Sequence, residues 1–375
     1  MRNGEILKVL HVLTLDDGHG EYGGPVSVAK QLCRFLNDNE RFSSEIISGT
    51  RRELGNINNS EDKIERIFVK AIISSFPISS LFSIRMGYQL FFRIKKVRVV
   101  HIHAGRDIIS IFAAYCAILM FKPYFIQTHG MIKCDDRIIT KLFDFLFTKR
   151  ILKKANKVFY LNDNEFKELK EAFQINNLYL LENGIQKQSK AMISTHSKRV
   201  LFCSRLHPNK NIEFFMDVVD EMLLMRKDLQ YEIYGPDGGQ LPLLLERLRN
   251  PKYFGYVKYL GFLKNEEVIS VLRNASCLIL PSIYDPFPMV ILESLSVGTP
   301  VLISSACGQS KKISQFQEGF VCQLQNPKLY AMQLNQILEQ DSENFREEIM
   351  DFCESEFGIT KVLATLEQYY LSTQF

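Results

Sequence analysis

The sequence contains no tryptophan, so its aromatic content rests on 28 Phe and 15 Tyr. It also lacks any Cys-x-x-Cys pair. Its eight cysteines stand at 33, 116, 134, 203, 277, 307, 322 and 353, a spacing that gives a zinc or dithiol site weak support. Most of them sit in apolar runs such as "SCLILP" and read as buried, reduced thiols of a cytosolic protein. No G-x-x-x-x-G-K-[ST] loop occurs, and no G-x-G-x-x-G follows the first strand-like run, so P-loop and dinucleotide readings lose their support. An Asp-x-Asp triad, which would carry a metal–nucleotide complex, is missing as well. The start of the chain has no cationic, apolar leader, and "ILKVLHVLTL" is only strand-length. The most apolar window, 108–125, is broken by Lys122 and Pro123 and reads as a buried helix rather than a membrane span.

What is present fits a globular chain of two domains. Its 375 residues exceed one ordinary core, and 46% apolar with 23% charged residues supply two. The net charge of +4 is unevenly placed: residues 1–190 hold 29 Lys/Arg against 20 Asp/Glu, and residues 191–375 hold 17 against 22. Only the first half is therefore built to face an anionic partner. Buried strand-like runs alternate with helical stretches. In the first half they are "KVLHVLTL", "VRVVHIHA", "YFIQTHG", "KVFYLND" and a short "YLLENGI", with a helix over "GPVSVAKQLCRFLND". Polar residues 187–198 read as a linker. The pattern restarts with "KRVLFCSRL", a helix over 211–226, "LQYEIYG", "VKYLGFL", a helix near 265–274, "SCLILPS", a helix from about 288, "PVLISS" and "GFVCQL". Alternation of this kind predicts α/β architecture with two doubly wound parallel sheets, which bind ligands at the carboxyl ends of strands. The expected divisions are 1–187, 188–355 and a final helix over 356–375 that packs back on the first domain.

Three stretches of the second half carry chemistry. "FCSRLHPNKN" places Arg205 and Lys210 in one loop between a strand and a helix. Two cations plus a positive helix start suit a diphosphate; the alternative is a solvated basic loop. "EIYGPDGG" ends a strand at Gly235, where backbone can approach a ligand closely. "SIYDPFPMVILESLSVGTPVL" places Asp285 in a loop and Glu293 in the helix that follows, with Phe287, Met289 and Val290 supplying free amides between two prolines. A ligand that meets both carboxylates is long and carries hydroxyls at each end. A nucleotide sugar fits, with sugar at Asp285, ribose at Glu293 and diphosphate at Arg205 and Lys210. The alternative is a turn aspartate and a structural glutamate. In the first half, His129 ends a strand beside Gly130, a position suited to an active-site residue. His101 and His103 share a strand face. His101 reads as structural, whereas His103 can reach a ligand. His11, His19, His196 and His207 carry no separate signal.

Together these residues resemble the family 4 retaining glycosyltransferases of GT-B fold. The resemblance covers nearly the whole chain and rests on "GGPVSVAKQL", "THG", "ENGI", "SRLHPNKN", "YLGFL" and "YDPFPMVILESLSVGTPV". It implies two Rossmann-like domains facing across a cleft, the first on the acceptor side and the second binding the nucleotide-sugar. It implies that Gly23 and Gly24 approach the phosphates, that His129 lies beside the donor sugar, and that His103 and Gly130 are on the acceptor side. It implies transfer with retained configuration, without metal or other cofactor. Asp285 departs from the family, which usually has Glu there. The shorter side chain reaches ~1.5 Å less, so the sugar sits deeper or a water intervenes.

The basic half adds a partner. Residues 131–157 hold eight basic and three acidic residues, with Ile138, Leu142, Phe145, Leu146, Ile151 and Leu152 as much of an apolar stripe. Residues 74–98 repeat the theme. Such segments suit an anionic membrane surface; the alternative is ordinary helix packing with solvated lysines. Nucleic acid is not expected, because no reading module appears. The expected protein is cytoplasmic, associates with the inner face of the membrane, and glycosylates a glycan or polyprenyl-diphosphate-linked acceptor in bacterial surface polysaccharide (O-antigen or capsule) synthesis. The alternatives are a nucleotide-sugar epimerase of the same fold and a binding module without turnover.

Overall fold

The computed structural model describes residues 6–16, 23–52, 63–76, 78–133, 135–189, 197–324 and 326–373. His19, Cys134, His196 and most of the expected linker lie outside them. The chain divides into two compact units, Met1–Glu182 with Thr360–Phe375, and Asn183–Ile359. The division thus falls after Glu182 and after Ile359 rather than after 187 and 355. Ile185 forms a parallel bridge with Gly358, which ties both ends of the second unit to each other.

Seven parallel strands form the sheet of the first unit: β1 Leu7–Leu13, β2 Phe42–Thr50, β3 Ile64–Phe68, β4 Val99–His103, β5 Tyr124–Gln127, β6 Lys157–Tyr160 and β7 Leu178–Leu180. Their order is β3-β2-β1-β4-β5-β6-β7. Central strands buried on both faces read as continuous apolar runs, and β4 is buried at every position. The order reverses between β1 and β4, which places the ligand-binding end of this sheet at the loops after Leu13 and His103. Asp107 starts the helix Ile108–Leu119 by accepting the Ser110 amide at 2.8 Å. The window 108–125 is therefore this helix plus the start of β5. Among the described residues no helix is long and apolar enough to cross a membrane.

The second unit repeats the plan with β8 Arg199–Cys203, β9 Gln230–Tyr234, β10 Val257–Gly261, β11 Cys277–Leu280, β12 Val301–Ser304 and β13 Val321–Cys322. Their order is β10-β9-β8-β11-β12-β13, so the reversal falls between β8 and β11. The loops bearing Arg205 and Asp285 leave those two strands.

The chain returns to the first unit through the helix Ile359–Ser372. Leu366 and Tyr370 on it are fully buried. Tyr370 packs edge-on to Phe125 at 5.1 Å, and its hydroxyl meets His101 Nδ1 at 2.5 Å.

Candidate active site

In the second unit three loops converge at the carboxyl ends of β8, β9 and β11. The loop after β8 is zipped to the loop after β9. The Leu206 amide donates to Pro236 O at 2.9 Å, and the amides of Gly238 and Gln240 donate to Leu206 O. Gly235 makes this possible. Its φ is +146°, and a Cβ there would fall 1.8 Å from Ser204 O. The sequence assigned Gly235 to ligand approach; the structure shows that the chain's own loop already requires it. Arg205 on this loop is exposed, with Gly238 packed against its stem.

The loop after β11 is held from both sides. The Ile283 amide donates to Asn209 O at 2.8 Å, and the Gly308 amide donates to Asp285 O at 2.9 Å. Asp285 is 7% exposed, and its carboxylate accepts from Lys210 Nζ. Two residues assigned to neighbouring parts of one ligand, its diphosphate and its sugar, thus form a direct ion pair here. Phe287 is buried, with its ring 6.3 Å from that of Phe357. The helix Met289–Ser296 starts after Pro288 with no side chain capping its first turn. The amides of Met289 and Val290 therefore stand at a positive helix end without a side-chain acceptor. Glu293 lies one turn further in. Its carboxylate makes no hydrogen bond or ion pair among the described residues. Burial pushes its pKa up to about 7. Glu293 also raises the nearby Cys203 thiol at the end of β8, which burial chiefly pushes up to about 12. An unpartnered carboxylate near a strand end is equipped to accept from ligand hydroxyls.

In the first unit a histidine cluster sits beneath the reversal point. His11 on β1 pairs in register with His101 on β4, and the alternation along β4 places His103 on the same face. His11 Nδ1 lies 3.0 Å from His103 Nε2, and His103 Nδ1 lies 2.8 Å from His129 Nε2. His11, His101 and His103 are sealed from solvent, and His129 keeps partial exposure. Burial lowers the pKa of all four, that of His129 to about 3, so the rings are neutral near pH 7. The reading of His101 as structural stands with its Tyr370 contact. His103, expected to face an acceptor, has both ring nitrogens engaged by other histidines.

His129 adopts φ +50° and Gly130 φ +69°. For His129 that left-handed backbone is strained, and it is held by Glu165. This fully buried carboxylate accepts from Thr128 Oγ1 at 2.5 Å, from the Gly130 amide at 2.5 Å and from the Leu161 amide at 2.7 Å. It thus clamps the residues on either side of His129. Sequence reasoning missed Glu165; the available signal was Asn162, three residues earlier, which caps the helix Asp163–Phe173. The helix Gly23–Asp38 begins at the expected glycine pair, and a Cβ on Gly24 would meet nothing within 4 Å. The protein itself therefore does not demand glycine at 24. Beside these loops lies a cavity of about 640 Å³. Its wall includes Leu15, Val26, Phe76, Ile108, Ile139 and Phe143, with Arg106 and Arg137 among its polar groups.

The basic segments divide in a way the sequence did not separate. Ile151 and Leu152 are core, while Ile138 is 84% and Phe145 is 75% exposed. Residues 138–154 run as helix, π-turn and helix. On the helix Ile84–Lys96, Met86, Leu90 and Ile94 are buried, while Ile84, Tyr88, Phe91 and Phe92 are exposed.

Residues 185–351 match the family described as Glycosyl transferases group 1. An uncharacterised glycosyltransferase of Methanocaldococcus jannaschii is 29% identical over 42% of this chain and 40% of that protein. The O-antigen chain mannosyltransferase B of Escherichia coli is 24% identical over 38% of this chain and 37% of that protein. The chain thus spans about two fifths of these curated relatives. Anabaena HepE in complex with UDP and glucose is similar in structure, with a TM-score of 0.75 at 15% identity, covering 98% of this chain and all of that one. That likeness shows the fold, the two-sheet α/β architecture of GT-B proteins that the sequence led us to expect.

Proposed function

We propose that the protein is a retaining, metal-independent glycosyltransferase that moves a sugar from a nucleotide-sugar to a hydroxyl of a glycan acceptor. The observation that carries this reading is Glu293, half-buried and with a carboxylate unpartnered among the described residues, beside an uncapped helix start and a loop with two cations. The family match over 185–351 and the relatives' names support it. HepE with UDP and glucose supports a nucleotide-sugar donor.

In this reading Glu293 accepts from the ribose hydroxyls, and the amides of Met289 and Val290 approach the ligand between its ends. Arg205 and Lys210 stabilise the charge that grows on the departing diphosphate. Binding the diphosphate draws Lys210 from Asp285, and the freed carboxylate accepts from the donor sugar. The acceptor hydroxyl attacks the same face, with the leaving phosphate as base. In the first unit, taken by itself, His129 beside Gly130 is read as a ligand contact, and the helix start at Gly23 and Gly24 as a place where amides meet phosphate. No residue is assigned to a metal.

For the acceptor we favour a lipid-linked glycan at the inner face of an anionic cytoplasmic membrane. The exposed Ile138, Ile139, Leu142 and Phe145 lie among basic residues and suit insertion into an anionic surface. The apolar cavity beside them suits an acceptor with a greasy end, which a nucleotide-sugar epimerase would not require. The name of the Escherichia coli relative supports a place in O-antigen synthesis.

The test is a panel of nucleotide sugars, each screened for thermal stabilisation and slow donor hydrolysis. One donor should stabilise the protein by about 3 kcal/mol at a hundredfold excess over its Kd and be hydrolysed without added metal. Stabilisation with no hydrolysis or transfer would replace the enzyme by a binding module.

A further inference from the structure

His11, His103 and His129 form an unbranched string of three imidazoles with two internal hydrogen bonds. A neutral imidazole carries one N–H and one lone pair. Each bond needs one donor and one acceptor, so only two proton arrangements satisfy both. In the first, protons point inward: His129 Nε2–H donates to His103, His103 Nε2–H donates to His11, and the His11 proton rests on Nε2. In the second, they point outward: His11 Nδ1–H donates to His103, His103 Nδ1–H donates to His129, and the His129 proton rests on Nδ1.

The inner end decides between them. His11 Nε2 is buried and has no hydrogen-bond partner among the described residues. The inward arrangement strands an N–H there, and orphaned buried N–H groups are rarer in proteins than under-satisfied acceptors. The outward arrangement leaves only a lone pair at that point. It puts the terminal proton on His129 Nδ1, which has no hydrogen-bond partner among the described residues, on the one ring of the string that keeps solvent exposure.

We propose that His11 and His103 are positioning residues that fix the tautomer of His129, so that it presents a neutral Nδ1–H donor to an oxygen of its ligand. The reading of His129 as a substrate contact is taken from the proposed function; the tautomer itself is not. A neutral donor recognises a hydroxyl or phosphate oxygen without adding a positive charge beside an electron-poor sugar.

The test uses the full chain labelled with ¹⁵N-histidine, at pH 7.5 and without ligand. His129 is assigned by the signals lost in His129→Gln. The expected result is a protonated, pyrrole-type Nδ1 and a pyridine-type Nε2. His11→Asn keeps a donor close to the place of Nδ1 and should preserve both the tautomer and turnover. His11→Leu removes the donor, and should shift His129 toward the Nε2–H form and lower turnover about tenfold. A wild-type His129 protonated on Nε2 overturns the proposal, as does a His11→Leu protein whose His129 tautomer is unchanged. If His11→Leu does not fold, the wild-type spectrum alone decides. An Nδ1–H tautomer in a protein that transfers no sugar sinks the transfer reading only, and an Nε2–H tautomer in an active protein sinks the string only.

Discussion

Lys210 and Asp285, 75 positions apart, form an ion pair in which the lysine side chain is 22% and the aspartate side chain 9% exposed. The pair ties the two loops that flank the reversal of the second sheet. A nucleoside diphosphate competes with Asp285 for the ammonium. Asp285→Asn should therefore not weaken nucleoside diphosphate binding, and should strengthen it a few-fold, while transfer falls. The fold should lose up to about 1.5–3 kcal/mol, the scale for a hydrogen bond to a charged group. Calorimetry with the bare nucleotide, beside urea melts, reads both. Binding reduced tenfold would place Asp285 on the nucleotide itself.

Glu293 gives the opposite balance. Its pKa is raised from 4.5 to about 7, so the folded state holds a proton that the unfolded state has lost between those values. The penalty for ionising it is absent below about pH 4.5, grows through that window, and is complete above about 7. Glu293→Gln should thus stabilise the ligand-free protein at pH 8 by up to about 3 kcal/mol, with the gain vanishing toward pH 4.5. The same change should weaken nucleoside diphosphate binding roughly 10-fold or more. Melts across pH and titration calorimetry check the two halves separately.

Glu165 is expected to matter through His129 and not through contact with a ligand. Glu165→Ala strands three donors, at Thr128, Gly130 and Leu161. It should cost about 2–5 kcal/mol and speed hydrogen exchange at the Gly130 amide. Glu165→Gln keeps one acceptor oxygen and should fall between this variant and the wild type. An unchanged Gly130 exchange rate in Glu165→Ala would remove the clamp.

The exposed apolar side chains give a test that leaves the core alone. Ile138→Asp with Phe145→Asp should leave the melting temperature within a few degrees and lower sedimentation with anionic vesicles at least tenfold. Burying a large apolar side chain contributes about 1.5–3 kcal/mol. Equal sedimentation of both proteins would show that this face does not meet lipid.

Much of the architecture was legible because buried parallel strands announce themselves as short apolar runs. β4, β5, β8 and β11 are of this kind. β2, "FSSEIISGT", was not recognised, since Ser44, Glu45 and Ser48 interrupt its apolar residues. In the second unit the functional candidates were legible because each lies in a loop directly after a strand or, as with Met289, Val290 and Glu293, in the helix that this loop leads into. The ion pair between two of them was not, because strand order, and not sequence, brings residues 210 and 285 together. His11 gave no signal for the same reason. Its bond to His103 spans 92 positions and depends on β1 lying beside β4. The 131–157 stripe mixed two faces because Ile151 and Leu152 belong to core while Ile138 and Phe145 do not.

The path of the last helix bears on the order in which the molecule is made. Tyr370 seals a core whose other members are mostly encoded before residue 182, and its contact with His101 closes a loop of 269 positions. The second unit, by contrast, has both its ends joined by Ile185 and Gly358, and takes only the first residue of that helix, Ile359, whose amide donates to Ile185 O at 3.0 Å. During synthesis, the unit begun first is completed last, after the other has had the opportunity to fold in full. Until then the histidine layer lacks its lid, and the face of His101 and Phe125 that Tyr370 covers stays open.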